Sequence, residues 1–276
     1  MRDDIILSIK DLNLVFHDHD APETAVESFS LDLKEGEIVG LVGESGSGKS
    51  LTALAVAGLL PRHKLTASGS ILYKDLDLLS ISRKELRKIQ GNDIGMIFQE
   101  PMTSLDPVKR AGTQVEESLR IHQPEIKKDE RKKKALEMLA ACGLNDPERV
   151  YRSYPHELSG GMRQRVMIAA AMIGAPRILI ADEPTTALDV TVQAQIVKLL
   201  TDINKKQHTT MIFISHDLSL VRKIADRAIV MQNGNIVEEG ESLDIFYNPK
   251  HEYTKKLVAA IPEVPQVTLT GGWINK

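Results

Sequence analysis

The sequence predicts an α/β fold with a mostly parallel sheet as its core, an N-terminal antiparallel β part and an inserted helical part. Three observations lead there. Ile38-Val39-Gly40-Leu41-Val42 is an unbroken apolar run, the mark of a strand buried on both faces of a parallel sheet, and it passes through a glycine-rich turn into an apolar helical stretch. Three similar runs, Ile94–Phe98, Ile178–Ala181 and Met211–Ile214, each end in polar residues. Between Gln99 and Ser159 strand patterns vanish and helical periodicity replaces them, so residues 100–157 read as the insertion.

Ile5–Ile9 opens as a strand, and Val26–Leu33 follows with Ser28, Ser30 and Asp32 alternating against apolar neighbours. Glu35-Gly36 is a turn into the first buried run. Ser50–Leu60 is the apolar helix after it, with Pro61 as its stop. In the insertion, Asp129–Cys142 places Ala135, Leu136, Leu139 and Ala140 on one face and ends at Gly143. Asn233-Gly234 joins Ala228–Gln232 to Ile236–Glu239 as a hairpin. Beyond Gly240 the sequence predicts a short helix, a Pro/His/Tyr segment and a loose tail from Pro262.

Bulk properties narrow the function classes. With 276 residues the chain can bury a substantial core. Its net charge is −3 with both signs mixed, which does not suit a nucleic-acid binder. The basic run Lys127–Lys134 is interrupted by Asp129 and Glu130 and reads as a solvated helix start. One cysteine, Cys142, excludes an intrachain disulfide or a cysteine-rich metal cage and fits a reducing compartment. The longest apolar stretch, Val166–Ala175, is too short to span a bilayer. Asp3 and Asp4 ahead of Ile5-Ile6-Leu7 are not expected to form a signal peptide.

Four buried strands thus deliver polar groups at their C-terminal ends, where open α/β sheets place ligands. Gly43-Glu44-Ser45-Gly46-Ser47-Gly48-Lys49-Ser50, followed by Leu51, fits the phosphate-loop pattern between a strand and a helix. Its backbone amides would wrap phosphates, Lys49 would reach the β- and γ-phosphates of ATP, and the Ser50 hydroxyl would bind Mg²⁺. Asp182, at the end of an apolar run, is the carboxylate to hold Mg²⁺ through water. Glu183 beside it suits the general base for the attacking water. On its own, an Asp-Glu pair at a strand end would be a surface turn; the lysine loop changes that reading. His216 could fix the water and touch the γ-phosphate, or be structural. Gln99 could sense Mg²⁺ and water, or simply start a loop.

Leu158-Ser159-Gly160-Gly161-Met162 has its own chemistry. Ser159 can cap the helix that begins at Gly161, and two glycines leave amides bare, an anion site suited to a γ-phosphate. An ordinary Ser-capped helix start is the alternative. Phe16 could stack on adenine; core packing is its alternative reading.

Taken together, Gly43–Ser50, Gln99, Leu158–Met162, Ile178–Glu183, Thr186-Ala187-Leu188-Asp189 and His216 resemble the full motif set of the ATP-binding-cassette (ABC) ATPases, over about residues 5–250. The resemblance implies a phosphate-loop NTPase fold of the RecA-like kind. It also implies that two such domains sandwich two ATP molecules, the Leu158–Met162 turn of one completing the Lys49 site of the other, with Asp189 linking the two sites. Glu183 and His216 are both present, which implies hydrolysis.

Gln99–Pro107, Tyr154-Pro155-His156-Glu157 and the tail Asn248–Lys255 through Pro262 are similar to the oligopeptide, dipeptide and nickel importer ATPases. Residues 1–250 would then be the nucleotide-binding domain and 251–276 that group's C-terminal extension. Many members carry an iron–sulfur cysteine cluster near this tail. No cysteine follows Cys142 here, so no cluster is expected, and Glu252 stands where proline is usual. The resemblance implies a peripheral protein on the cytoplasmic face of the cell membrane. Its implied partners are integral-membrane permease subunits, a second ABC ATPase subunit and, indirectly, an extracellular substrate-binding protein, with no nucleic acid. Di- or oligopeptide uptake is the leading reading. Nickel or oligosaccharide uptake, a non-transport ABC ATPase and a module that binds ATP without turnover are the rivals.

Overall fold

Alternate residues of single strands go to opposite cores, which is what a sheet covered on both faces requires. Ile178 and Ile180 join Val39, Leu41, Ile212 and Ile214 in one core, under Leu12 and Phe29 of the N-terminal strands. Leu179 and Ala181 join Val42, Met211 and Phe213 in the other, against Val166, Ile168 and Leu200. Each large side chain fully buried in this way contributes on the order of 1.5–3 kcal/mol.

This computed structural model describes residues 4–17, 22–61 and 64–261, so the tail from Pro262 and the start at Asp3 lie outside the described residues. In chain order come β1 (Ile5–Phe16), β2 (Glu23–Lys34), β3 (Ile38–Val42), α1 (Lys49–Val56), β4 (Leu65–Tyr73), β5 (Leu76–Asp77), α2 (Arg83–Ile89) and β6 (Ile94–Ile97). Five helices follow: α3 (Pro101–Ser104), α4 (Ala111–Val115), α5 (Glu117–His122), α6 (Lys128–Ala141) and α7 (Pro147–Arg152), then a 3₁₀ turn at Pro155–Glu157. The remainder is α8 (Gly160–Met172), β7 (Ile178–Asp182), α9 (Val190–Gln207), β8 (Thr210–Ser215), α10 (Leu218–Ile224), β9 (Arg227–Gln232), β10 (Asn235–Glu241), α11 (Ser242–Tyr247) and α12 (Glu252–Ala259).

The larger sheet runs β10-β9-β3-β8-β7-β6. Its five strands from β9 to β6 are mutually parallel, and β10 closes the edge as an antiparallel hairpin. The smaller sheet, β2-β1-β4-β5, is antiparallel throughout. The fold class read from the sequence is therefore the observed one.

Several local readings change. β1 and β2 are twelve residues each, longer than Ile5–Ile9 and Val26–Leu33. The helix after the glycine-rich turn ends at Val56, before Pro61 can act. Gly58, at φ 68°, takes a left-handed turn there. The amides of Gly58 and Leu59 then reach back to the carbonyls of Ala55 and Leu54, at 3.0 and 2.8 Å, the paired bonds of a Schellman C-cap. In α6, Ala135 and Leu139 are buried as expected, but Ala140 is exposed and Cys142 takes its place in the core.

Candidate functional site

The loop between β3 and α1 holds its shape through two glycines. A Cβ on Gly43 would sit 2.2 Å from the Met231 carbonyl oxygen. Gly48 has φ 98°, and a Cβ there would meet the Ala25 carbonyl oxygen at 2.8 Å. Glu44, Ser45 and Gly46 form an exposed rim, whereas Ser47, Gly48 and Lys49 are buried and Leu51 packs against the core. Inside the loop, Lys49 Nζ donates to the carbonyls of Gly43 and Glu44, at 2.9 and 2.7 Å, and to Ser47 Oγ at 3.1 Å. Burial pulls the Lys49 ammonium below its usual pKa, opposed by the nearby charges of Glu183, Asp182 and Glu44.

The ends of β6, β7 and β8 supply the facing groups. Ser50 Oγ donates to Asp182 Oδ1 at 3.0 Å. Asp182 is 5 % exposed, and this burial raises its carboxyl above the ordinary aspartate range; the Ser50 hydrogen bond and Lys49 work the other way. Next to it, one oxygen of Glu183 collects three donors: Thr186 Oγ1 at 2.7 Å, Gln99 Nε2 at 3.1 Å and His216 Nδ1 at 3.2 Å. The carboxylate accepts only, so this arrangement puts the proton of His216 on Nδ1. Glu183 itself has φ 44°, a conformation that side-chain-bearing residues rarely adopt. It is held there by its amide bond to the Ile214 carbonyl and by the Thr186 amide bonding back to its own carbonyl, at 3.0 and 3.1 Å.

The structure thus gathers Lys49, Ser50, Gln99, Asp182, Glu183 and His216 around one point. The second group assembles separately. Ser159, Gly160, Gly161 and Asp189 line an open groove with Val192 and Gln195. Ser159 Oγ caps α8 by accepting from the Met162 amide at 3.3 Å, and Asp189 caps α9 by accepting from the Val192 amide at 2.9 Å. Phe16 ends β1 half-buried and packs on the N-terminal core.

Two residues that the sequence analysis gave no role also touch the site. Thr186 holds Glu183; the sequence placed it in the Thr186–Asp189 motif without showing what its hydroxyl touches. Tyr253, in α12, accepts a hydrogen bond from the Glu44 amide at 3.0 Å. Nothing in the sequence pattern placed it there.

Comparison with known proteins identifies the family. The ABC transporter family pattern matches residues 26–186. A peptidoglycan transport ATP-binding protein of Agrobacterium fabrum is 51 % identical over 94 % of this chain, which spans 47 % of that relative's length. The dipeptide transport ATP-binding protein DppD of Haemophilus influenzae is 48 % identical over 94 % of this chain and 78 % of its own. Among solved structures, the dimeric ATP-binding cassette MJ0796 bound to ADP and Pi superposes with a TM-score of 0.77 at 31 % identity, covering 86 % of this chain and 98 % of that one. By the family match and by identity across nearly its whole length, the chain belongs to the ABC transporter family.

Proposed function

We propose that this ABC ATPase hydrolyses MgATP at an interface shared with a second cassette and so powers the uptake of di- or oligopeptides through a membrane permease. The observation that carries the hydrolytic part is the triple clamp on the Glu183 carboxylate beside the Ser50–Asp182 pair. Lys49, released from its loop carbonyls, neutralises the β- and γ-phosphates while the loop amides wrap them. Glu183 accepts a proton as water oxygen attacks the γ-phosphorus. The bond from that phosphorus to the bridging oxygen breaks, leaving ADP and phosphate. His216, at 61 % side-chain exposure, touches Glu183 from the solvent side and turns to the γ-phosphate by giving up that contact.

The donor set fits Mg²⁺. A hydroxyl and a carboxylate face each other, both hard oxygen donors, and burial disfavours the Asp182 charge that a bound cation would offset. Ser50 would hold the ion directly, Asp182 through water, and Gln99 would sense it. Bound Mg²⁺ supplies charge neutralisation for the β- and γ-oxygens.

The exposed Ser159-Gly160-Gly161 turn serves the nucleotide of a partner cassette. It presents bare amides at the N-terminus of the thirteen-residue α8, and Asp189 lines the same groove. Phe16 stacks on adenine. Residues 1–250 form the cassette, the helices at 100–157 meet the permease, and Gln99 couples that contact to the nucleotide; residues 251–276 are the C-terminal extension. No described helix is long and apolar enough to cross a membrane. A permease partner provides the path and this subunit sits peripherally on its cytoplasmic side, a reading that rests on the transport relatives. The peptide substrate rests on the relatives named for dipeptide and oligopeptide transport.

Deleting the gene and measuring uptake of labelled di- and oligopeptides tests the reading, together with mild solubilisation of native membranes and recovery of the chain. Loss of peptide uptake and co-recovery of two permeases with a second cassette are expected. Unchanged uptake, or recovery of the chain with nucleic acid, would contradict it.

A further inference from the structure

Tyr253 lies 209 positions from the loop residue it touches. Its ring is 7 % exposed and part of the main core, and Leu257 and Val258 of the same helix pack there too. The start of α12 is pinned. The amides of Lys250 and His251 donate to the two carboxylate oxygens of Glu238 on β10, at 2.8 and 3.0 Å, and His251 Nδ1 accepts from the Tyr253 amide at 3.2 Å. Burial keeps the phenol neutral by pushing it above its usual range.

At the other end of the contact, Glu44 is gripped three times. Its amide donates to Tyr253 Oη at 3.0 Å, and its carbonyl accepts from Lys49 Nζ at 2.7 Å and from the Ser47 amide at 3.2 Å. When Lys49 turns to phosphate its grip is lost, which leaves Tyr253 as the hold on the amide and Ser47, inside the loop itself, on the carbonyl. Glu44 belongs to the exposed rim Glu44–Gly46, so core packing does not hold this peptide in its place.

We propose that Tyr253 is a positioning residue for ATP binding: through the Glu44 amide, α12 holds the entrance of the phosphate loop in its nucleotide-ready shape while Lys49 changes partners. Ordering the loop in advance lowers the entropy lost on binding. The proposal rests on reading Gly43–Ser50 as the loop that binds the ATP triphosphate.

The test compares Tyr253→Phe, Leu257→Ala and Lys49→Ala with the wild type in the full chain, measuring ATP affinity, steady-state hydrolysis and thermal unfolding. Tyr253→Phe is expected to raise the Kd for ATP about five-fold, the scale of one hydrogen bond. Its kcat at saturating ATP is expected to stay within about two-fold of wild type, and its Tm to fall by no more than about 4 °C. Leu257→Ala loosens the same helix without touching the hydroxyl, so it is expected to lower Tm and leave Kd at the wild-type value. An unchanged Kd in Tyr253→Phe while Lys49→Ala weakens binding would overturn the role of Tyr253 alone. An equal rise in Kd in Leu257→Ala would also overturn it, since the effect would then be general loosening. Unchanged affinity in Lys49→Ala would remove the phosphate-loop reading, and the Tyr253 proposal with it.

Discussion

The hydroxyl of Thr186 lies 2.7 Å from Glu183 Oε2, the shortest of three hydrogen bonds that converge on that oxygen. Thr186 is only three residues along the chain and is anchored to the same turn by its own amide. It is therefore the most rigid of the three orienting groups. Gln99 and His216 reach the carboxylate from other strand ends.

Removing this hydroxyl leaves Glu183 with two long-range partners. Hydrogen bonds to a charged group are worth about 1.5–3 kcal/mol, so Thr186→Val is expected to lower kcat for ATP by roughly ten-fold or more. KM should move less than about two-fold, because Thr186 does not line the loop. Steady-state kinetics on the purified chain check this; an unchanged kcat would show that the clamp does not position the base.

The glycines of the loop differ in what they tolerate. A Cβ at Gly43 would meet the Met231 carbonyl oxygen at 2.2 Å and Ser47 Oγ at 2.7 Å, whereas one at Gly46 would meet nothing within 4 Å. Gly46 carries only the strain of φ 82°. Gly43→Ala is expected to lower the melting temperature more than Gly46→Ala and to weaken ATP binding at least ten-fold, on the scale of ~1–3 kcal/mol for forced overpacking. Calorimetry and nucleotide titration of the two variants give the order. Equal effects would mean that the close approach to Met231 does not constrain the loop.

Asp182 should leave a pH signature on stability. Its folded-state pKa is raised by burial, so in the nucleotide-free chain it favours folding below the ordinary aspartate range and opposes folding once pH rises through the raised value. Asp182→Asn is therefore expected to raise Tm near neutral pH. The gain should shrink to nothing at acid pH, where the native aspartate is itself neutral. Hydrolysis should be lost in the same variant. A Tm gain that did not depend on pH would point to packing instead of charge.

The core strands were legible in the sequence because each is short, continuous and ends in a polar group. Asp182, Gln99 and His216 sit where those ends predicted. β4 escaped because its buried residues, Leu65, Ile71 and Tyr73, are separated by Thr66–Ser70, where exposed Gly69 at φ 94° marks a register shift against β1 and no alternating apolar pattern survives. α12 escaped for another reason: Glu252–Ala259 follows a Pro/His stretch that reads as a loop, and the helix is fixed by distant groups, Glu238 and Glu44. The left-handed φ of Glu183 was equally hidden. It depends on the Ile214 carbonyl of the neighbouring strand, and no local propensity predicts it.

Glu183→Gln puts the central claim to the most direct test. The amide keeps the size of the side chain but cannot take a proton from water. ATP turnover and ATP affinity would be measured side by side on the full chain. The account expects affinity within about three-fold of wild type and turnover reduced by ~10²–10⁴, the usual scale for a lost general base. Turnover within ten-fold of wild type would contradict the role of Glu183 and the hydrolytic mechanism built on it.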